Sequence, residues 1–222
     1  MTRRGAMGWL GGAASLVLGG CGVFGGGAAY RFRMTVEVET PQGLITGSSV
    51  YEVVAERNGT RLLAEERAGG VATRGQATVV DLHGSPLFVL MEMPQAGDGL
   101  GAIATYALSP QTPRGGIDNF LPAVEGLGGW LGGAKADLPR DDWPIMVRFR
   151  NINIPSSVEE IRPEDVGVKR ILLETTSDDV TTGIEKTLTW LGDRGTVVSG
   201  PKTNPNLTRT IRHESFWQGN RP

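Results

Sequence analysis

The sequence predicts an α+β fold, which is a mainly antiparallel β-sheet with a few short helices and a Gly/Pro-rich middle insertion. Two observations predict it. Apolar and polar residues alternate in several segments before residue 92 and again after residue 143, as in half-buried strands. Between them, residues 94–142 are rich in glycine and proline. We expect residues 30–222 to form a single domain with a loop-rich insertion at 94–142, and two small domains divided within that insertion are the alternative.

The domain is predicted to open with a β-hairpin. Residues 30–38 alternate strictly, so that Phe32 and Val36 fall on a face predicted to be buried. A Pro-Gln-Gly turn at 41–43 leads to a second predicted strand at 44–55. The short connection makes the two strands antiparallel neighbours.

Further strands are predicted to extend this hairpin into a β-meander. One is expected at 60–65, after the Asn58-Gly59 turn, and a pair at 78–82 and 86–91 is joined across His83-Gly84.

The middle segment contains two apolar stretches, 102–108 and 120–131, each predicted to be a short helix. We expect it to be a flap over the sheet or a mobile surface segment. Trp130, with Leu127 and Leu131, is the predicted interaction surface, because an exposed tryptophan anchors well on lipid or on a partner protein. The alternative is that Trp130 covers the core.

Regular structure is predicted again from Trp143 onward. The predicted elements are a strand at 145–149, helical turns at 156–160 and 163–166, a strand at 168–175, a helix at 183–191 and a strand at 195–199. The pieces WPIMVRFRNINIPSSVEEIRPEDV and TTGIEKTLTWL resemble a pattern found in small uncharacterised proteins of proteobacteria. That resemblance covers about a quarter of the chain and implies no function.

The N-terminus has the features of a secretory signal. Arg3 and Arg4 are followed by an apolar stretch from Ala6 to Leu18 and by two small residues, Gly19 and Gly20. The stretch is shorter than the roughly 20 apolar residues that a spanning helix needs. A retained N-terminal anchor helix and an ordinary secretory signal are the alternatives.

The next residue is the only cysteine of the protein, and Leu18-Gly19-Gly20-Cys21 resembles the lipobox of bacterial lipoproteins. The resemblance implies cleavage before Cys21, a diacylglycerol on its thiol and a fatty acid such as palmitate on the new amino terminus. Residues 1–20 are then the signal peptide and 21–29 a Gly-rich tether. Gly22, in place of the aspartate that retains lipoproteins of enteric bacteria at the inner membrane, favours the outer membrane. The expected location is the periplasmic side of the cell envelope.

The composition of the chain argues against some classes of partner and of catalytic or metal site. Without Arg3 and Arg4, 20 basic residues face 24 acidic ones, a net charge of −4. A mildly acidic chain argues against a nucleic-acid partner. With Cys21 acylated, no thiol remains for a disulfide, a nucleophile or a metal site.

Three candidate chemical motifs are weak. Gly99-x-Gly101-x-x-Ala104 matches a dinucleotide-binding pattern but lacks the preceding strand of a βαβ unit. His83 lies near Asp81 and Ser85 in a predicted turn, with no strained nucleophile motif. Acidic residues at 137, 141 and 142 lack the spacing of a calcium loop.

We therefore predict no catalytic residue, no metal and no cofactor. The predicted function is that of a lipid-anchored, non-catalytic binding or structural module. Its partner is expected to be a protein or an envelope polymer, bound through a sheet edge or the middle loop. A small periplasmic hydrolase with an unrecognised site is the alternative.

Overall fold

The computed structural model describes residues 27–57, 69–95, 97–129, 133–192, 198–205 and 207–219. The strands are β1 (Gly27–Thr40), β2 (Gly43–Arg57), β3 (Gly69–Gln76), β4 (Thr78–Leu82), β5 (Ser85–Val89), β6 (Lys135–Asp137), β7 (Met146–Phe149), β8 (Val158–Ile161), β9 (Val168–Thr175) and β10 (Trp217–Gln218). The helices are α1 (Leu100–Leu108), α2 (Ile117–Gly128) and α3 (His213–Phe216). The strand pairings among these residues are all antiparallel, so the predicted fold class, α+β with mainly antiparallel sheet, is confirmed.

The predicted opening hairpin is confirmed. β1 and β2 pair from Gly27 opposite Glu56 to Thr40 opposite Gly43. Phe32 and Val36 are fully buried, as the alternation predicts. The opposite side chains of β1 form ion pairs on the outer face of the sheet, for example Glu37 with Arg170.

The strands form two sheets. The larger has the order β10-β3-β2-β1-β9-β6 and the smaller β4-β5-β7-β8. The β4–β5 pair was predicted, but not its place in a separate sheet. β5 and the residues after it carry the continuous apolar run from Leu87 to Met91, which is typical of a strand buried on both faces. Gly47 of β2 permits close contact between the sheets, because a Cβ there would lie 2.2 Å from the carbonyl oxygen of Val79.

The third predicted strand, residues 60–65, lies outside the described residues. Within them, the strand that pairs with β2 on the side away from β1 is β3, which begins at Gly69.

The middle segment carries α1, α2 and β6. Ile103, Phe120 and Val124 are buried in the main hydrophobic cluster, on the half of the six-stranded sheet where β1 begins. Apolar residues at helical spacing explain this packing. Both predicted helices exist, at Leu100–Leu108 and Ile117–Gly128.

In the C-terminal half, β7 lies within the predicted 145–149, and β9 matches the predicted 168–175. The turn predicted at 163–166 is a 3-10 turn, Pro163–Val166. The helical turn predicted at 156–160 is instead a 3-10 turn, Pro155–Ser157, followed by β8.

The prediction of one helix at 183–191 was wrong. This segment instead contains two 3-10 turns, Ile184–Lys186 and Thr189–Gly192. Ile184, Leu188 and Leu191 are nonetheless buried together, as the pattern predicts. Of the strand predicted at 195–199, only its last two residues are described, and Ser199 forms one bridge with Ile211.

Two hydrophobic clusters lie on opposite sides of the four-stranded sheet. Leu87 and Val89 join the main cluster with β1, α1 and α2, whereas Phe88 and Leu90 join the second. The C-terminal segment, including Phe216, closes the second cluster. The four-stranded sheet is therefore an inner layer.

Candidate functional site

Most of the predicted site residues lie outside the described part of the chain. These are Cys21, Trp130 and Leu131. Leu127 is described; it is half-buried and packs against the main cluster from the last turn of α2. Its neighbour Gly128 abuts the start of β1, because a Cβ there would lie 2.4 Å from the carbonyl oxygen of Ala29.

The start of β1 therefore lies at a defined end of the molecule, which we call the tether end. It comprises Gly27, its partner Glu56 on β2, Gly70 of β3 opposite Glu56, and Gly128 of α2. Glu56, Gly70 and Gly128 are exposed. Leu127 belongs to this end through its position beside Gly128.

A second feature is an incompletely paired sheet edge. β10 pairs with only the last two residues of β3, Gly75 and Gln76. Within the described residues, no strand pairs with the outer edge of β3 from Gly69 to Arg74. An open strand edge offers unpaired backbone donors and acceptors to another chain.

A groove of about 480 Å³ runs along this open edge. Its lining residues are Val71, Ala72, Thr73, Arg74, Met91, Gly99, Leu100, Gln218 and Gly219. Val71 is 43% exposed and is one of three large apolar side chains exposed in the described chain. We call this feature the β3-edge groove. It combines a backbone edge with a recess of mixed polar and apolar lining, and strand addition by a peptide uses such an edge together with side-chain pockets.

The electrostatics of this edge come from one short network on the outer face. Glu52 accepts from Arg74 at 2.9 Å and from Arg31 at 3.3 Å. Arg31 also reaches Asp179 at 3.2 Å. Arg74 thus lines one side of the groove, and the carboxylate of Glu52 largely balances its charge.

A second cleft, of about 430 Å³, lies at the opposite end of β1 and is called the distal cleft. It is lined by Pro94, Arg140, Trp143, Pro144, Ile145, Met146, Glu160, Ile161, Arg162, Pro163, Glu164 and Thr208. The amide of Glu39, near the end of β1, donates to the carbonyl of Gly167, just after the cleft residues 160–164. Trp143 is a structural part of it, because its Nε1 donates to the Leu138 carbonyl at 2.8 Å and Arg140 lies over its ring.

The weak chemical motifs have structural roles. His83 is exposed in the β4–β5 turn at φ 54°, and the Asp81 carboxylate accepts the amide proton of Gly84 at 2.7 Å. Asp81 therefore closes the turn and does not orient His83. Gly101 allows α1 to approach β3, because a Cβ there would lie 2.3 Å from Oγ1 of Thr73.

The acidic residues near 140 form ion pairs instead of a cluster. Asp137 lies 3.8 Å from Arg170, and Asp142 lies 3.9 Å from Arg114. In the part of the chain that the structure describes, no group of three or more His, Cys, Asp or Glu side chains is placed to hold a metal ion.

Two buried tyrosines bridge layers of the core. The Tyr30 hydroxyl bonds to Thr105 of α1, and the Tyr51 hydroxyl bonds to Thr78 of β4, both at 2.9 Å. Burial raises the pKa of both phenols well above the ordinary value of 10. Both therefore stay neutral and act as hydrogen-bonded core residues.

Sequence reasoning missed a polar cluster that fastens the C-terminal segment. The Ser215 hydroxyl donates to the Glu92 carboxylate at 2.7 Å. Arg209 donates to the carbonyls of Met93 and Pro94 at 3.1 and 2.9 Å. No local motif signals it, because the partners are more than 100 residues apart. His213 is not part of this cluster, because its Nε2 contacts the Leu191 carbonyl.

Comparisons with known proteins found no match among family models, curated proteins or solved structures. Among the described residues, no helix combines the length and the apolar character that crossing a membrane requires.

Proposed function

We propose that this protein is a lipid-anchored, non-catalytic binding module of the bacterial cell envelope, facing the periplasm, with the outer membrane favoured. The observation that carries the proposal is Leu18-Gly19-Gly20-Cys21 behind a basic and apolar leader. The organisation of the chain supports it, because the first described strand begins at Gly27, only six residues after the thiol that would carry lipid. Two or three acyl chains anchor a protein firmly, whereas one binds marginally.

The anchor is tested by metabolic labelling with an alkyne fatty acid in a bacterial host. We expect label on the wild-type chain and none on Cys21→Ala, whose thiol is missing. Equal labelling of both chains, or none on either, would contradict the anchor. Membrane fractionation of Gly22→Asp is the matched test of location, because that variant should move to the inner membrane in an enteric host.

The β3-edge groove is the surface we propose for the protein or polymer partner. Val71 is exposed beside the open edge, and the buried side chain of Leu100 lines the recess. Exposed edges are normally blunted by charge, proline or covering loops. An edge that no described strand covers, beside a groove lined by Val71 and Leu100, therefore favours binding of an extended segment over a purely structural role.

This surface is tested by a photocrosslinking amino acid at position 71 in cells. The matched control is the same amino acid at Leu44, which is also exposed and apolar but lies on the outer face. We expect a discrete adduct from position 71 and none from position 44. Identical adduct patterns, or an adduct from position 44 alone, would contradict the assignment.

A further inference from the structure

We infer that the domain stands on the bilayer by its tether end, with lipid headgroups beside Gly27, Glu56 and Gly128, and presents the distal cleft away from the membrane. The inference rests on the proposed acylation of Cys21. It goes further by naming the bilayer surface as the partner of one end of the molecule.

The length of the tether gives the first argument. An extended chain spans at most about 3.6 Å per residue, so the six steps from Cys21 to Gly27 reach about 21 Å. The acyl chains lie in the hydrocarbon layer, which places Cys21 at the level of the headgroups. Gly27 is thus confined to within about 21 Å of that level.

The first residues of β1 do not lengthen the tether, because they are paired in the sheet. β1 is paired from its first residue, with Gly27 opposite Glu56 and Ala28 opposite Ala55. Ala28 also packs against the main cluster, and Tyr30 is buried two residues later. Releasing the start of β1 from the sheet would expose core side chains. The tether is therefore joined to a fixed position of the domain at Gly27.

The length of β1 separates the two ends of the molecule. Its 14 residues rise by about 3.3 Å each, so the turn after Thr40 is about 43 Å from Gly27. The distal cleft adjoins that far end through the Glu39–Gly167 hydrogen bond of 2.8 Å. When the tether end is at the headgroups, the distal cleft is directed into the envelope space.

The outer face of the six-stranded sheet argues against a domain that lies flat. It carries ion pairs such as Arg170–Glu37 at 2.9 Å and Lys169–Glu39 at 3.1 Å. Pressing these charges against lipid removes their water, which is costly.

The test measures distance from the bilayer at both ends of one hairpin. Glu56→Cys and Gln42→Cys place a thiol at exposed positions near the two ends of β2. Acylated Cys21 does not react, so a thiol-reactive fluorophore labels only the new cysteine. The lipidated proteins are reconstituted in phosphatidylethanolamine–phosphatidylglycerol vesicles that contain a headgroup nitroxide lipid.

We expect strong quenching at position 56 and little at position 42. Equal quenching, or stronger quenching at position 42, would overturn the inferred orientation. A second pair, Lys135→Cys and Lys169→Cys, applies if a hairpin variant misfolds, because both lysines are similarly exposed and lie towards opposite ends of the sheet. For this second pair, quenching should be stronger at position 135 than at position 169. Equal quenching, or stronger quenching at position 169, would overturn the inferred orientation.

Mass spectrometry of the same samples separates the two proposals. Acylated protein with equal quenching at both ends refutes the orientation alone. Protein without acyl chains refutes the proposed anchor and, with it, the orientation.

Discussion

Substituting Val36→Asp tests the register on which the core of the larger sheet depends. Val36 is fully buried between Gly47 of β2 and Ile171 of β9. Removing a buried valine forfeits about 1.5–3 kcal/mol of the free energy of unfolding. A buried carboxyl must also stay protonated, which at pH 7 costs about 4 kcal/mol from an ordinary pKa near 3.9. The expected loss is about 6 kcal/mol, comparable with the whole stability of many domains.

The pH dependence of this loss identifies its cause. Burial raises the pKa of the new carboxyl in the folded state, so its penalty is small below the unfolded-state pKa and grows as the pH rises. We expect the loss measured at pH 4 to fall to about 2–3 kcal/mol, because the protonation cost has nearly disappeared. Urea unfolding followed by circular dichroism at both pH values measures it.

Thr35→Asp is the matched control. Thr35 points to the outer face, opposite Ser48 and Leu172, so the same charge stays hydrated there. Surface changes of this kind usually alter stability by less than about 0.5 kcal/mol. A larger loss for Thr35→Asp than for Val36→Asp would refute the register, and a pH-independent loss for Val36→Asp would refute the buried carboxyl.

Two further outcomes are expected. Hydrogen bonds from Arg170, both at 2.9 Å, lower the pKa of Glu37 below its usual 4.5. The stabilisation from this pair is therefore complete above pH 4.5 and disappears as the pH falls through the lowered pKa. The stability difference between wild type and Glu37→Gln should close in acid, and a difference that stays constant with pH would contradict the pair. In hydrogen exchange followed by mass spectrometry, the amides of the buried α1 residues Ile103 to Thr105 should exchange more slowly than those of residues 110–115, which connect α1 to α2. Equal rates would show that the helix is a mobile insertion.

The strand predicted at 30–38 from period-two alternation runs from Gly27 to Thr40, because alternation depends only on local sequence and on the existence of some core. β9 matches the predicted 168–175. The distribution of strands between two sheets was not predictable in this way. Ala77, between β3 and β4, donates its amide to the Phe216 carbonyl, more than 100 residues away, at the point where the chain changes sheet.

Tertiary hydrogen bonds hold both ends of the segment that was predicted as a helix at 183–191. The Ile184 amide donates to the Gln76 side chain, and Trp190 Nε1 donates to the Ile152 carbonyl, both at 2.9 Å. The apolar spacing predicted which side chains are buried, since two 3-10 turns also place Ile184 and Leu188 on one side. Periodicity therefore predicted the face and not the backbone.

The glycines of the middle segment were interpreted as a sign of mobility, but two of them permit close packing. Gly101 lies against Thr73, and Gly128 lies against the carbonyl of Ala29, at distances that no side chain would allow. A glycine required for close approach and one required for flexibility have the same sequence signature. Only the packing of α1 and α2 on the sheet distinguishes them.

The candidate binding edge follows from how the other edges of the two sheets are protected. β6 is three residues long and carries Lys135 and Asp137, which makes it a poor template for another strand. On β8, the Asn204 side chain donates to the Val158 carbonyl at 2.7 Å, and the Thr208 hydroxyl donates to the Glu160 carboxylate at 2.8 Å. β3 is covered by β10 over only two residues, and its remaining outer edge lies beside a groove and an exposed valine. Because the described residues place no strand beside β3 from Gly69 to Arg74, this is the edge that we propose for a partner.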